Sequence, residues 1–336
     1  MKRKLYFAAV AAMALVSCKD PVGIMPETSS GLVRLDLSLD NGETKSVGLD
    51  EENRIADVQV YVFNAEGVIE AYRLQEYKNE TLLSTAKTSV ECTPGTKTIV
   101  ALVNTPKMPD VKSYDDLTSR TSNLADNSTV ALQMTGKVSA EITSSSEISI
   151  PVSRIAAKVT IASITNKMAL EYYQNMSFSI TNIYMLNVAG DTGYMEDKDP
   201  VVWYNMSKRQ DTGGLRYMLQ RNNSVPLVVK YPETVSLTPQ QEHPYYVYPN
   251  GTESDNSDAE WSPRYTRMVL EARLGSETYY YPVSIPNVER NTAYEVHLTV
   301  TRPGSASPDI PVDVQTASVT VNVVEWTDAA DINETI

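Results

Sequence analysis

The chain is poor in the residues that most chemistry requires. Its 336 residues include two histidines and two cysteines. His243 precedes Pro244 in a loop-like stretch. His297 lies in the alternating segment AYEVHLTV, on the face of Ala293, Glu295 and Thr299, and reads as a solvent-facing strand residue. There is no His-Glu-x-x-His, no glycine-rich phosphate loop and no Cys/His spacing for zinc. Asp309 and Asp313 sit among prolines in SPDIPVD, which suggests an extended loop over a calcium site. The chain is therefore not expected to be an enzyme, and no cofactor is called for. Basic residues are also few, 29 Lys and Arg against 42 Asp and Glu, and a net charge of −13 argues against nucleic acid as a partner. The acidic run Asp50–Glu52 reads as a solvated loop. Phenylalanine is scarce, three against 20 tyrosines, which suggests a β-rich protein whose aromatics keep one end wet. Helical apolar periodicity is hard to find beyond the first twenty residues.

Those first residues are a different kind of segment. MKRKLYFAAVAAMALVSCKD has a basic start (Lys2, Arg3, Lys4) and an apolar stretch, Leu5 to Val16, too short to span a membrane as a stable helix. It ends in Leu15-Val16-Ser17-Cys18, which resembles a bacterial lipobox. Residues 1–17 are then a signal peptide, and Cys18 is the lipidated new N-terminus, held to a membrane from outside the cytoplasm at ~0.8 kcal/mol per buried CH₂. Residues 18–31 read as a flexible tether carrying two prolines, two glycines and a Thr-Ser-Ser run. A lipidated Cys18 leaves Cys92 without a disulfide partner. Placed just before Pro94-Gly95, Cys92 reads as a buried, inert thiol.

From Leu32 onward short strands dominate. They are expected at Leu32–Leu39, Ile55–Phe63, Lys97–Val103, Glu147–Val152, Ala156–Ile164, Phe178–Leu186, Tyr245–Tyr248, Thr266–Leu274, Tyr279–Ile285, Ala293–Thr301 and Ala317–Val324, with turn signals between most of them. A short helix is expected near Ser113–Thr118. IADVQVYVFNAEG and FSITNIYMLNVAG, about 120 residues apart, form a weak internal repeat. It suggests two β-sandwiches in tandem, residues 32–150 and 151–336.

The stretch VRLDLSLDNGETKSVGLDEENR poses the functional question. Val33, Leu35, Leu37 and Leu39 share one face of a strand, with Arg34, Asp36 and Ser38 on the other. A long polar connection follows, in which Lys45 stands between Gly42 and Gly48. At the far end, ASVTVNVVEWTDAADINETI places Ala317, Val319, Val321 and Val323 on one face and Val324 and Trp326 on the other.

PVSRIAAKVTI, NIYMLNV, ERNTAYEVHLTV and the terminal VTVNVVEWTDAADINETI together resemble the FimA/Mfa-type fimbrillins, the lipoprotein pilins of Bacteroidetes also called type V pilins. The resemblance runs from lipobox to C-terminus. It implies an all-β protein of two transthyretin-like β-sandwiches, exported as an outer-membrane lipoprotein precursor. It also implies removal of the N-terminal strand by a trypsin-like surface protease, and insertion of a C-terminal strand from the next subunit. Here the removable strand would carry Val33, Leu35, Leu37 and Leu39. The cut would fall between Lys45 and Ser46, with Arg54 as the alternative. The donor region would carry Val319, Val321, Val323, Trp326, Ile332 and Ile336, part of it completing its own domain and the residues from about Glu325 moving to the neighbour with Trp326, Ile332 and Ile336 as anchors. The expected role is a polymerising fimbrial shaft subunit at the cell surface, partnered by its own copies and other fimbrial subunits, with a host or bacterial surface ligand possible. The alternatives are an anchor or accessory subunit that stays lipidated, and a surface glycan-binding lipoprotein.

Overall fold

The computed structural model describes residues 31–40, 50–77, 85–206, 226–237, 244–254, 261–310 and 317–325. Cys18, Lys45, Ser46, His243, Asp313, Trp326, Ile332 and Ile336 lie outside them. The described chain is built from strands, as expected. The first group is β1 (Val33–Asp40), β2 (Asp57–Phe63), β3 (Ile69–Glu76), β4 (Thr85–Cys92), β5 (Gly95–Val103), β6 (Thr121–Asn123), β7 (Met134–Ile142), β8 (Ser146–Pro151) and β9 (Ser153–Arg154). The second is β10 (Ala157–Asn166), β11 (Phe178–Leu186), β12 (Val188–Ala189), β13 (Asp191–Gly193), β14 (Trp203–Tyr204), β15 (Leu227–Val228), β16 (Thr234–Ser236), β17 (Tyr245–Val247), β18 (Thr266–Leu274), β19 (Glu277–Ile285), β20 (Thr292–Val300) and β21 (Ala317–Glu325).

Two sheets of the first group face each other. One has the order β4-β1-β8, the other β3-β2-β5-β7-β9. Leu35, Leu37, Leu39, Val90 and Ile150 from the first meet Val58, Val60, Val62, Ile99 and Ala101 from the second in one apolar core. The opposite face of β2 and β5, with Tyr61, Phe63, Val100 and Leu102, belongs to a second core. Both faces of these strands are covered, which is why DVQVYVF and TIVALV read as near-continuous apolar runs rather than alternating ones. Part of that second face is covered by α1 (Tyr114–Ser119), which buries Leu117. The Ser113 hydroxyl caps the helix by accepting from the Asp116 N–H at 3.1 Å, and Asp115 and Asp116 favour its first turn.

In the second group, β10 lies parallel to β20 and antiparallel to β16 and β17, and β21 closes the sheet on the far side of β20. The facing sheet runs β15-β11-β18-β19. Val159, Ile161, Ile183, Met268, Leu270, Val283 and Val296 fill the space between them, in the same core that receives Tyr61 and Phe63. Among the described residues, strand pairing joins the two groups only at β6–β13.

Two expectations need correction. Glu52 is not on a solvated loop: Asp50–Asn53 form a 3-10 turn, and Glu52 is fully buried. His297 is half-buried rather than open to solvent. Its Nδ1 lies 2.8 Å from Ser163 Oγ, and its Nε2 3.3 Å from the Asn322 amide nitrogen. Cys92 is buried, as expected, and burial pushes its thiol pKa up, partly opposed by Lys97.

Candidate functional site

The site is β1 and its surroundings. Alternation places Leu35, Leu37 and Leu39 inward, with exposures of 0%, 1% and 0%. Arg34 and Asp36 point outward and pair with each other at 2.9 Å, both more than half exposed and so screened by solvent. Val33 is half-buried at the strand's start and packs on the edge of the core.

β1 is the middle strand of its sheet. It runs antiparallel to β4, from Val33 opposite Cys92 to Asp40 opposite Thr85, and parallel to β8, from Leu35 beside Ser146 to Asp40 beside Pro151. Its withdrawal would open ladders on both β4 and β8 and empty an apolar trough. At about 1.5–3 kcal/mol per fully buried side chain, the three leucines alone bring several kcal/mol to its retention.

Beyond the connection that carries Lys45, the chain is fixed again at Glu52. The Lys158 ammonium lies 3.1 Å from one Glu52 carboxylate oxygen and 3.3 Å from the other, and the Tyr246 hydroxyl donates to the carboxylate at 2.7 Å. Arg154 donates from Nε to the Glu52 carbonyl at 3.1 Å and from a terminal nitrogen to the Asn53 side-chain oxygen. Arg54 is half-buried, and its carbonyl accepts from Asn104 Nδ2 at 2.7 Å. The Asn104 side-chain oxygen accepts from the Ala56 N–H at 2.8 Å.

β21 sits at the edge of its own sheet. It pairs antiparallel with β20 over its whole length, with Val319 opposite Leu298, Val321 opposite Val296 and Val323 opposite Tyr294. Val321 is half-buried against the core. The structure therefore keeps the two regions named by the sequence in separate sheets: β1 is interior to one, β21 at the rim of another. Sequence reasoning missed Glu52, Lys158 and Tyr246. No local signal could have found them, because Glu52 sits in the acidic run Asp50–Glu52 and its partners lie more than a hundred residues further along.

The profile of the family described as major fimbrial subunit protein (FimA) matches residues 33–212, more than half of the chain. The chain belongs to that family. No curated protein sequence matches it. Among solved structures, this FimA-family chain is similar to a proposed cell adhesion protein from Parabacteroides distasonis, at 17% identity and a TM-score of 0.67, covering 89% of this chain and 98% of that one. It is also similar to a fimbrilin from Porphyromonas gingivalis W83, at 19% identity and a TM-score of 0.60, covering 88% and 99%. A third is the tip fimbrial protein Mfa3 from Porphyromonas gingivalis, at 15% identity and a TM-score of 0.55, covering 88% and 100%. These likenesses concern the fold, a fimbrial β-sandwich architecture. Family membership makes the FimA-family chain a structural fimbrial protein rather than an enzyme.

Proposed function

We propose that this chain is a polymerising fimbrial shaft subunit, made as an outer-membrane lipoprotein acylated at Cys18. In this reading a trypsin-like surface protease cuts between Lys45 and Ser46. β1 then leaves its sheet, and a C-terminal segment of the next subunit takes its place. The reading divides the chain into transthyretin-like sandwiches at 32–150 and 151–336.

One observation carries it: β1 is central to its sheet, buries three leucines, and is joined to the rest of the chain through the polar connection around Lys45. An open trough with unpaired N–H and C=O groups on both rims draws in any strand that restores the ladders and the apolar contacts. Acceptor and donor patches differ, so each contact is head-to-tail, and repetition gives a filament rather than a closed ring. While β1 stays in place the trough is filled and assembly is blocked. Self-association and contact with other fimbrial subunits follow from the same geometry. The donor segment would begin near Glu325 and use Trp326, Ile332 and Ile336 as anchors, leaving Val319, Val321 and Val323 in β21.

The test is N-terminal sequencing of protein extracted from surface fibres. The expected first residue is Ser46. Fibre material that still begins at an acylated Cys18 overturns the reading, and points instead to an anchor subunit that keeps its lipid.

A further inference from the structure

The chain carries two basic residues close to the proposed cut, Lys45 and Arg54, and the structure treats the second in a particular way. Arg54 lies between two anchored flanks. On one side, the buried Glu52 carboxylate is held by Lys158 and Tyr246, which are cross-strand neighbours on β10 and β17. On the other, Ile55 is 2% exposed in the core that also holds the β1 leucines, and Asn104 bridges the Arg54 carbonyl to the Ala56 N–H. Glu52 therefore reaches out of the first group of strands and fastens to the second.

We infer that Glu52 is a positioning residue for processing: its ion pair clips residues 52–57 to the body of the protein and withholds the Arg54–Ile55 bond from trypsin-like proteases. A protease binds its substrate as an extended segment free of competing hydrogen bonds, so both flanks of the bond must first detach. Detaching the Glu52 side leaves the Lys158 ammonium, itself 8% exposed, without its carboxylate. Removing one partner of a buried pair is far costlier than breaking an exposed one. The product of cutting there is also unfavourable. Water adds a hydroxyl to the Arg54 carbonyl carbon and a hydrogen to the Ile55 nitrogen, and the new amine takes up a proton near neutral pH. That ammonium would stand at a buried residue, and Glu52 and Asn53 would depart with the leaving peptide. A cut before Asp50 keeps the clip on the mature chain. The role in maturation rests on the proposed removal of β1; the shielding of Arg54 does not.

The test is timed trypsin digestion of the folded full chain, wild type and Glu52→Gln, with peptides ending at Lys45 and at Arg54 counted by mass spectrometry. Wild type is expected to resist at Arg54. E52Q keeps the side-chain shape but loses the charge, and cleavage at Arg54 should rise by on the order of a hundredfold, while strand-interior sites such as Arg73 and Lys97 stay protected. Equal rates at Arg54 in the two proteins overturn the inference. If E52Q is cut at Arg73 and Lys97 as well, it has unfolded, and hydrogen exchange on wild type decides. An Ala56 amide protected as long as that of Tyr61 supports the clip, and one exchanging like an exposed loop overturns it. Cleavage at Lys45 is read in the same digests, so absence of that cut counts against the proposed processing and not against the clip.

Discussion

Leu37 of β1 lies directly across the ladder from Thr88 of β4, and the Thr88 hydroxyl is buried there without a hydrogen-bond partner. Leu37 can offer it none. A buried hydroxyl left unpaired costs about 1–3 kcal/mol, whereas an apolar group of the same shape carries no such cost. β1 is therefore imperfectly matched to its neighbour at this one position. Thr88→Val is expected to stabilise the protein by about 1 kcal/mol, raising its Tm by roughly 1–3 °C. On the proposed processing, it should also retard the release of β1 after the cut. Calorimetry reads the first effect and a time course of oligomers after trypsin reads the second. A lower Tm for T88V would mean that the hydroxyl is satisfied after all.

The sequence pattern reveals the strands that the core demands and hides those it does not. Phe178–Leu186 and Thr266–Leu274 were legible to the residue, because their apolar side chains fill the space between two sheets. β3 and β4 were missed: IEAYRLQE and TAKTSVEC lie at sheet edges, where exposed polar residues such as Glu70, Arg73, Lys87 and Glu91 break the pattern. β7 was missed for a related reason, since MTGKVSAEI is buried on both faces only at its first three residues. In the site, the β1 leucines were readable from their period of two. Glu52 was not. Its partners Lys158 and Tyr246 stand 106 and 194 residues further along, so nothing local separates a buried carboxylate from a solvated acidic run.

The proposed cut makes a separate prediction. Lys45→Ala changes one residue of the polar connection and leaves the sequence of β1 and Glu52 as it is. The variant is expected to fold with an unchanged melting temperature, to keep its N-terminal strand, and to form no fibres. Mass spectrometry of the surface-extracted variant reads the processing and electron microscopy reads the fibres. Fibres of normal length from K45A would move the cut elsewhere.

Deletion of residues 326–336 tests the donor. β21 ends at Glu325, opposite Thr292 of β20, so the deletion leaves that ladder whole. The shortened chain should fold, should be cut like the full chain, and should still accept a donor from a full-length copy. It should fail to donate, so mixing it with full-length protein should cap growing fibres and shorten them in proportion to its share. Unimpaired polymerisation of the shortened chain alone would place the donor strand upstream of residue 326.

Tyrosine ionisation gives a pH-linked prediction on the core itself. Burial pushes the pKa of Tyr61, Tyr184 and Tyr281 well above the ordinary tyrosine range, reinforced by Tyr72 at Tyr61 and by Tyr280 at Tyr184. The Tyr61 hydroxyl donates to the Met108 carbonyl at 2.9 Å, and that of Tyr281 to the Arg302 carbonyl at 3.0 Å. The folded state thus holds protons that the unfolded chain releases near pH 10. Their contribution to stability is fully present below that pH and is lost as pH rises toward the folded-state values. Each such tyrosine adds a slope of about 1.4 kcal/mol per pH unit above pH 10. Tyr61→Phe removes one titrating group together with the hydrogen bond to the Met108 carbonyl. The variant should be less stable than wild type at pH 7, by roughly 1–3 kcal/mol, and its stability should fall less steeply above pH 10. Urea midpoints measured across that range would separate the two effects, and an unchanged slope in Y61F would show that Tyr61 ionises in the folded protein as freely as in the unfolded chain.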